Sequence, residues 1–255
     1  MCLLPEHGRL QACTLHHLAH SDYQPVASYQ GFSKKKPENN GTFNALHFID
    51  YMKPGTLLAC VQAFDKLVGT KYIIHLGRAV KLAKFTVTFE KEDCFHLMGL
   101  HYLQDRRDNR NRAVIFDELL TNPKYRHRIA SSKHWNDDLE GRVACTTILE
   151  KLLDNNNTLF RYNPRRLFFQ SHIKAEYLMA CTGYAITPDF TSEVYLFLDK
   201  RKPDSDTSDR FCKSIFPKRD HDFTEYQAKW TLLYKEKIVA SGVSAVLYQH
   251  KGYTP

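Results

Sequence analysis

The order of helix-like and strand-like segments is the feature that most limits how this chain can fold. An apolar pattern with helical period runs from Leu57 to Val68, and two strand-like runs follow, Tyr72–Leu76 and Phe85–Phe89. Four helical stretches come next, at Glu92–Gln104, Val114–Leu120, Tyr125–Ala130 and Asp138–Leu153. Short β runs then dominate, at Leu159–Tyr162, Leu167–Ile173, Val194–Leu198, Phe211–Phe216 and Lys229–Val239. Because helices and strands do not alternate, the chain is predicted to be α+β, with N-terminal helices packed on a largely antiparallel β-sheet.

The composition is that of a soluble globular protein with an excess of positive charge. Hydrophobic residues make up 43% and charged residues 25% of the 255 positions, and the formal net charge is +8. A basic protein favours polyanions such as nucleic acid as partners. No apolar run approaches the roughly 20 residues of a membrane span, and the first residues lack the basic start and apolar core of a secretory signal. A cytoplasmic protein with no membrane partner is therefore expected.

The first 42 residues differ in character from the rest. They contain clustered histidines, the lysine run Lys34–Lys36 and the loop-forming sequence Pro37–Gly41, which together predict a poorly structured or accessory arm at 1–42, followed by one α+β domain at 43–255. His16 and His20 stand four apart, but no third ligand has a matching spacing, and the seven cysteines form no Cys-x-x-Cys motif. No metal and no other cofactor is expected, and most cysteines are expected to be reduced core thiols.

The segment Phe95–His101 is an apolar helical stretch that contains two histidines, His96 and His101. Imidazole both accepts and donates protons near neutral pH, so either residue is a candidate for proton transfer. In a continuous helix, residues five apart point about 140° away from each other. The two rings are therefore not expected to form an adjacent pair. At most one is expected to point into a site, and the other is then a core histidine with a hydrogen-bond partner.

Three basic groups follow this segment in the sequence, and the first of them is the loop Asp105–Arg112. Arginine binds phosphate oxygens in bidentate geometry, so these loops are candidates for RNA binding. Interleaved aspartates and asparagines leave an ordinary solvated surface as the alternative. A further basic group lies at Lys124–Arg128. The candidate RNA-binding residues are Arg106, Arg107, Arg110, Arg112, Arg161, Arg165 and Arg166.

Arg142 falls in the middle of the apolar stripe of the helix predicted at Asp138–Leu153. Arginine is rarely buried without a partner, and the macrodipole near a helix N-terminus disfavours a cation. A buried carboxylate, snorkelling at the core edge or a substrate phosphate could each explain it. In the strand predicted at Leu167–Ile173, alternation places His172 and Lys174 on the face opposite the core. That face is either plain solvent exposure or the working surface of a sheet.

Several motifs resemble one nuclease family. Phe85–Phe89, followed by Phe95-His-Leu-Met-Gly-Leu-His-Tyr-Leu103 and Asp105, resembles the phage-associated nucleases grouped with barnase, EndoU, colicin nucleases and RelE, and among them the fourth phage family. Looser similarities lie at Ile115–Asp117, at Ile129 with Ser131 and Ser132, at Gly141–Arg142 and at Ile173–Tyr177. The resemblance covers roughly residues 70 to 240. It implies helices on one face of an antiparallel sheet and a metal-independent ribonuclease activity, with no fixed catalytic set to transfer. Cys94 is a departure from the family pattern, in which an aromatic or aliphatic residue is expected before Phe95.

These observations favour a toxin-like, metal-independent endoribonuclease of a phage, prophage or other mobile element, which cleaves RNA through attack of the 2′-hydroxyl. His96 or His101 is the candidate for proton transfer, and Arg142 and Lys174 for phosphate stabilisation. Tyr177 and His172 are second choices for catalysis. The partners are the RNA substrate and a possible immunity or antitoxin protein. One alternative is a non-catalytic nucleic-acid-binding or interaction module with the same basic surface. The other is a metal-dependent nuclease with His134, Asp137 and Asp138, which are also typical of a helix N-terminus.

Overall fold

The computed structural model describes residues 56–187, 190–202 and 207–255. The arm predicted at 1–42, with its histidine cluster and lysine run, lies outside the described residues. The described part contains six helices and eight strands. It is an α+β fold, as the sequence predicts. No helix in these three described stretches is long and apolar enough to cross a membrane.

The elements follow one another along the chain with two strands before most of the helices. The helices are α1 (56–65), α2 (Lys91–Leu97), α3 (Arg112–Thr121), α4 (Pro123–Ala130), α5 (Asp137–Thr147) and α6 (Leu149–Asp154). The strands are β1 (Lys71–Arg78), β2 (Lys81–Thr88), β3 (Thr158–Arg161), β4 (Tyr177–Thr187), β5 (Phe190–Lys200), β6 (Asp209–Pro217), β7 (Ala228–Ile238) and β8 (Ser244–Gln249). Short 3₁₀ helices lie at Leu100–Tyr102, Gln104–Arg106 and Pro164–Arg166.

The strand pairings close into a ring. The order is β1-β2-β6-β5-β4-β3-β7, and β7 pairs back onto β1, while β8 adds to β7 beside β3. The pairing of β2 with β6 is parallel and joins only Thr86 and Val87 to Asp209 and Arg210. The other pairings of the described strands are antiparallel. The sheet is therefore mixed and mainly antiparallel.

Two apolar clusters pack on opposite faces of the central strands. The main core joins alternate residues of β4, such as Met179 and Cys181, to the inward faces of the helices. Leu178 and Ala180, which alternate with them, belong to an outer cluster with Tyr195 and Phe197. The five cysteines of the described residues are free thiols buried in the main core, in agreement with the sequence prediction.

The strand predicted at Leu167–Ile173 does not form. After the 3₁₀ helix at Pro164–Arg166, residues 167–176 run as an irregular loop over the outer cluster. The physical reason is the closed ring, because β3, β4 and β5 already have a neighbour on each side. No free edge remains there to supply backbone hydrogen bonds to another strand.

Two predicted helices are interrupted. The helix expected at Glu92–Gln104 ends at Leu97, and Gly99 then takes a left-handed conformation with a φ of 78°. The helix expected at Asp138–Leu153 starts at Asp137 and breaks at Ile148, so that α5 and α6 are separate. The side chain of Asn136 caps α5, which confirms the interpretation of this region as a helix N-terminus.

Candidate active site

Strand β6 lies where the sheet opens. Beyond Arg210 this strand leaves β2, and α2 and α5 pack beside it. Phe197 pairs with Ser214 while Leu198 pairs with Cys212, so Lys213 is an extra residue that forms a β-bulge. A bulge bends the strand and redirects side chains. Here it lets Lys213 and Ser214 both line the space between β6 and the helices.

The break after α2 brings the two histidines of this region together. Because the chain turns at Gly99 and continues as a 3₁₀ helix, the ring centroids of His96 and His101 lie 4.9 Å apart. The prediction that they could not form an adjacent pair was wrong, since it assumed one continuous helix. His101 also packs against Tyr102, with ring centroids 3.9 Å apart.

Two glycines allow the close packing that positions Arg142. A Cβ added at Gly99 would lie 2.9 Å from Cδ of Arg142, so the arginine side chain runs directly over this glycine. A Cβ added at Gly141 would lie 3.1 Å from the ring of Pro217, at the end of β6. The first glycine therefore leaves room for the side chain of Arg142, and the second lets α5 approach the sheet.

Arg142 is a half-buried cation without a carboxylate partner. Its Nη1 atom donates a hydrogen bond of 2.8 Å to Oγ of Ser214. Its guanidinium lies 5.2 Å from the ring centroid of Phe216 and 5.7 Å from that of Tyr102. Burial lowers the pKa of this guanidinium below its usual value, although arginine remains charged at any physiological pH. No Asp or Glu of the described residues forms a salt bridge with Arg142.

The loop after the 3₁₀ helix at Pro164–Arg166 adds His172 and Lys174 to the same place. Ile173, between them, packs against the outer cluster, while His172 and Lys174 are exposed. The predicted alternation of buried and exposed side chains is therefore present, although these residues do not form a strand. In the described part of the chain neither side chain has a hydrogen-bond or ion-pair partner.

These groups line a single cleft of about 360 Å³. It brings together the predicted residues His96, His101, Arg142, His172 and Lys174. The residues that the sequence analysis missed are Tyr102, Ile173, Phe211, Lys213 and Ser214. No carboxylate appears among these lining residues, and Lys213 is held by Asp199 from β5. Such a lining suits an anion.

Two imidazoles of the cleft, those of His96 and His101, favour the neutral form. Burial, together with the positive charges of Arg142 and Arg112 and the neighbouring His96, lowers the pKa of His101 to about 4. Burial and Arg112 also lower the pKa of His96. A guanidinium only donates, so Nε2 of His96 accepts a hydrogen bond from Nη1 of Arg112 and the ring proton lies on Nδ1. Among the described residues His101 has no hydrogen-bond partner, so its ring differs from that of His96 in having no nitrogen occupied by an arginine.

Tyr177, a second choice for catalysis, lies outside the cleft. It is 4% exposed, and its ring stacks on Phe85 with centroids 4.7 Å apart. The guanidinium of Arg161, predicted to bind RNA, lies 4.9 Å from the ring centroid of this tyrosine and forms an ion pair with Glu176. The structure therefore places both residues in one structural network.

The other predicted RNA-binding arginines fall into two groups. Arg106 and Arg110 are held by their own loop region: Arg106 donates to the carbonyl oxygen of Arg128, and Arg110 forms ion pairs with Asp108 and Glu118. Arg112 contacts His96, as described above. The remaining three are exposed and have no ion-pair partner among the described residues: Arg107, Arg165 and Arg166.

The alternative metal site is not assembled. Asp137 and Asp138 lie in the first turn of α5, and Asp138 forms an ion pair with Arg219. Within the described ranges, no group of three or more histidine, cysteine, aspartate or glutamate residues has the geometry of a metal site.

A mixed α+β fold with a cationic, imidazole-lined cleft defines a protein suited to act on a phosphate-bearing polymer. The chain belongs to the family described as phage-Barnase-EndoU-ColicinE5/D-RelE like nuclease 4, whose sequence model matches residues 56–251. This match confirms the resemblance found in the sequence motifs and places the chain in a nuclease family. Searches of curated proteins and of solved structures gave no significant match.

Proposed function

We propose that this protein is a metal-independent endoribonuclease that cleaves RNA by attack of a ribose 2′-hydroxyl on the adjacent phosphate. The observation that carries the proposal is Arg142, a half-buried cation with no carboxylate partner among the described residues, in one cleft with a neutral imidazole. Burying a cation without compensation costs free energy. A substrate phosphate supplies the missing negative charge.

The proposed reaction assigns a role to each group. Neutral His101 accepts the proton of the 2′-hydroxyl as its oxygen attacks phosphorus. Arg142 and Lys174 bind the non-bridging phosphate oxygens, where negative charge grows in the transition state. The bond from phosphorus to the 5′-oxygen breaks, and His172 donates a proton to that oxygen. The products are a 2′,3′-cyclic phosphate and a free 5′-hydroxyl. Each proton transfer contributes roughly 10²–10⁴-fold.

His96 has a supporting role in this scheme. Its Nε2 atom is occupied by Arg112, so it is not free to accept the 2′-hydroxyl proton. Its Nδ1–H group remains a donor, and its ring packs against that of His101. We therefore assign His96 to positioning His101 and to binding a phosphate oxygen.

The chemistry of the lining favours RNA and a mechanism without a metal. The cleft residues are arginine, lysine, histidine and uncharged side chains, whereas Mg²⁺ and Ca²⁺ prefer carboxylate oxygens. A nucleophile within the substrate removes the need for a metal-activated water. The 2′-hydroxyl of RNA supplies such a nucleophile, and DNA has none.

The biological setting is part of the same proposal. The family description names phage nucleases, so we propose that the protein acts in the cytoplasm, encoded by a phage, prophage or other mobile element. A toxin-like ribonuclease needs protection for its host cell. An immunity or antitoxin protein that covers the cationic cleft would supply it.

The test is incubation of the purified chain with labelled single-stranded RNA in EDTA. We expect products ending in a 2′,3′-cyclic phosphate and no cleavage where a 2′-deoxynucleotide replaces the attacking ribose. Arg142→Met and His101→Ala should each lower the rate at least 100-fold. His134→Ala serves as the control, because His134 lies outside the cleft and belongs to the alternative metal site.

Two results would contradict the proposal. Cleavage that requires Mg²⁺ and is lost in His134→Ala would favour the metal-dependent alternative. RNA binding without any turnover by the wild-type chain would favour a non-catalytic nucleic-acid-binding module.

A further inference from the structure

An exposed aromatic pair, Phe168 and Tyr226, takes no part in the chemistry proposed above. Phe168 is 79% exposed and Tyr226 is 62% exposed, and their rings contact edge to face with centroids 4.7 Å apart. Large aromatic side chains usually bury most of their surface, so two that contact each other in the open are unusual.

The backbone that presents Tyr226 is strained and well supported. Tyr226 has a φ of 57°, a left-handed conformation that is rare for a bulky residue. Its turn is fixed by Asp222, which accepts hydrogen bonds from the backbone and the hydroxyl of Thr224. The next residue, Gln227, accepts a 2.7 Å hydrogen bond from the backbone N–H of Asn163. Strain held by such a network is typical of functional positions.

Positive charge accompanies the aromatic rings. Arg165 and Arg166 precede Phe168 in the same loop, and both are exposed with no partner among the described residues. Glu225 adds one negative charge to the opposite turn, and Lys218 forms ion pairs with both Asp222 and Glu193. Aromatic rings with neighbouring guanidinium groups are the features with which proteins bind unpaired bases and their phosphates.

The pair is connected to the cleft. Phe168 precedes His172 by four residues, so their Cα atoms are at most roughly 14 Å apart. A row of ring contacts also runs from Phe169, the residue after Phe168, to the cleft. Phe169 packs on Phe223 at 5.0 Å, Phe223 on Phe216 at 5.4 Å, and Phe216 lies 5.2 Å from the guanidinium of Arg142.

We propose that Phe168 and Tyr226 stack an unpaired base of the substrate, while Arg165 and Arg166 hold its phosphates, so that the enzyme selects single-stranded RNA. This inference rests on the proposed function and adds a substrate class to it. In a duplex the bases are stacked on one another and cannot reach the two rings. A single strand can place a base on the pair while a nearby phosphate occupies the cleft.

The test is fluorescence anisotropy of the full chain with a labelled single-stranded 2′-deoxyoligonucleotide, which the proposed chemistry does not cleave. Phe168→Ala should weaken binding roughly 5- to 100-fold, the range expected for the loss of one stacked base. A duplex probe of the same sequence should lose little affinity. Val80→Ala, at a side chain that is 98% exposed, is the matched control for loss of an exposed apolar group.

Tyr226→Gly gives a second, independent measurement. Glycine adopts positive φ at no steric cost, so this variant should keep the thermal stability of the wild type and still bind the single strand more weakly. Unchanged affinity in both variants, or equal losses for single-stranded and duplex probes, would overturn the inference. If the aromatic pair serves only to bind another protein, both substitutions will leave the affinity for the oligonucleotide unchanged, and the inference is overturned.

The binding assay separates this inference from the proposed function. A chain that cleaves RNA but binds single strands equally well without Phe168 contradicts the stacking site alone. A chain that shows the expected loss of single-strand binding but never cleaves RNA contradicts the ribonuclease function and supports the stacking site.

Discussion

Arg142 and Ser214 are joined by a 2.8 Å hydrogen bond across 72 positions of sequence. This bond connects α5 to β6 and fixes the guanidinium between the rings of Tyr102 and Phe216. The hydroxyl of Ser214 therefore orients a guanidinium that forms no salt bridge with any carboxylate in the described part of the chain. Its removal is the most specific test of how the cleft is organised.

Ser214→Ala should lower kcat/KM about 10-fold and also lower the thermal stability, because Ser214 is buried and its bond to Arg142 is lost. A hydrogen bond to a charged group contributes about 1.5–3 kcal/mol, and here it orients Arg142 without supplying the charge. Rates on a ribo-oligonucleotide and thermal unfolding followed by circular dichroism provide the two measurements. Ser131→Ala is the matched control, because Ser131 accepts a hydrogen bond from Arg106 outside the cleft. An equal loss of activity in both variants would show that the bond to Arg142 has no special role.

Gly99→Ala should lower activity more than its effect on stability alone explains. Alanine at a φ of 78° costs roughly 1–2 kcal/mol, and the added Cβ would also displace Arg142. Gly242→Ala provides the comparison, since Gly242 has a φ of 85° with no atom within 4 Å of an added Cβ. We expect similar changes in the free energy of unfolding for the two variants and a large loss of cleavage only in Gly99→Ala. Equal activities would mean that Arg142 tolerates displacement.

The pKa of His101 should be visible in a proton NMR titration as a transition near pH 4, below the ordinary 6.5. Because the folded chain protonates this ring less readily than the unfolded chain does, the stability it contributes is fully present above about pH 6.5. That stability is lost as the pH falls towards 4. Arg142→Met removes a positive charge from beside the ring and should raise the pKa of His101 while leaving it below 6.5, since burial persists. A pKa unchanged by this substitution would place the two side chains further apart than the structure does.

Arg107 and Arg110 should differ in their effect on nucleic-acid binding. The charge of Arg110 is already compensated by Asp108 and Glu118, so Arg110→Ala should lower thermal stability slightly and leave the salt dependence of RNA binding unchanged. Arg107 is exposed, and Arg107→Ala should reduce the slope of log K against log salt by about 1 if it contacts a phosphate. The slopes come from affinities measured over a range of salt concentrations. A larger change in slope for Arg110→Ala than for Arg107→Ala would mean that RNA displaces the ion pairs of Arg110.

The sequence predicted the class of fold and five of the residues that line the cleft, but it did not predict the helix break and the β-bulge that position them. Segregated apolar periods were enough for the α+β assignment, because burial patterns reflect secondary structure directly. Arg142 was recognisable since a charge in an apolar stripe needs an explanation. His172 and Lys174 were found by alternation, although the strand assumed for them does not exist. Strand β4, from Tyr177 to Thr187, was missed.

The features that the sequence could not supply depend on tertiary contacts. A lone glycine such as Gly99 within an apolar helical pattern does not by itself predict a helix break, and so the sequence does not predict that His101 turns towards His96. The bulge at Lys213 results from a register shift between β5 and β6, and no local motif marks it. The sequence around Ser214 therefore contains no motif that predicts its role, because that role depends on the packing of α5 against the sheet.

The closed ring of strands has a consequence for synthesis of the chain. The hairpin of β1 and β2 leaves the ribosome well before β6 and β7, the strands that pair with its two outer edges. Such distant pairings form slowly and late. Since β6 also supplies Ser214, a nascent polypeptide that ends before this strand has an incomplete cleft. The cleft of a growing chain is therefore complete only after β6 has left the ribosome.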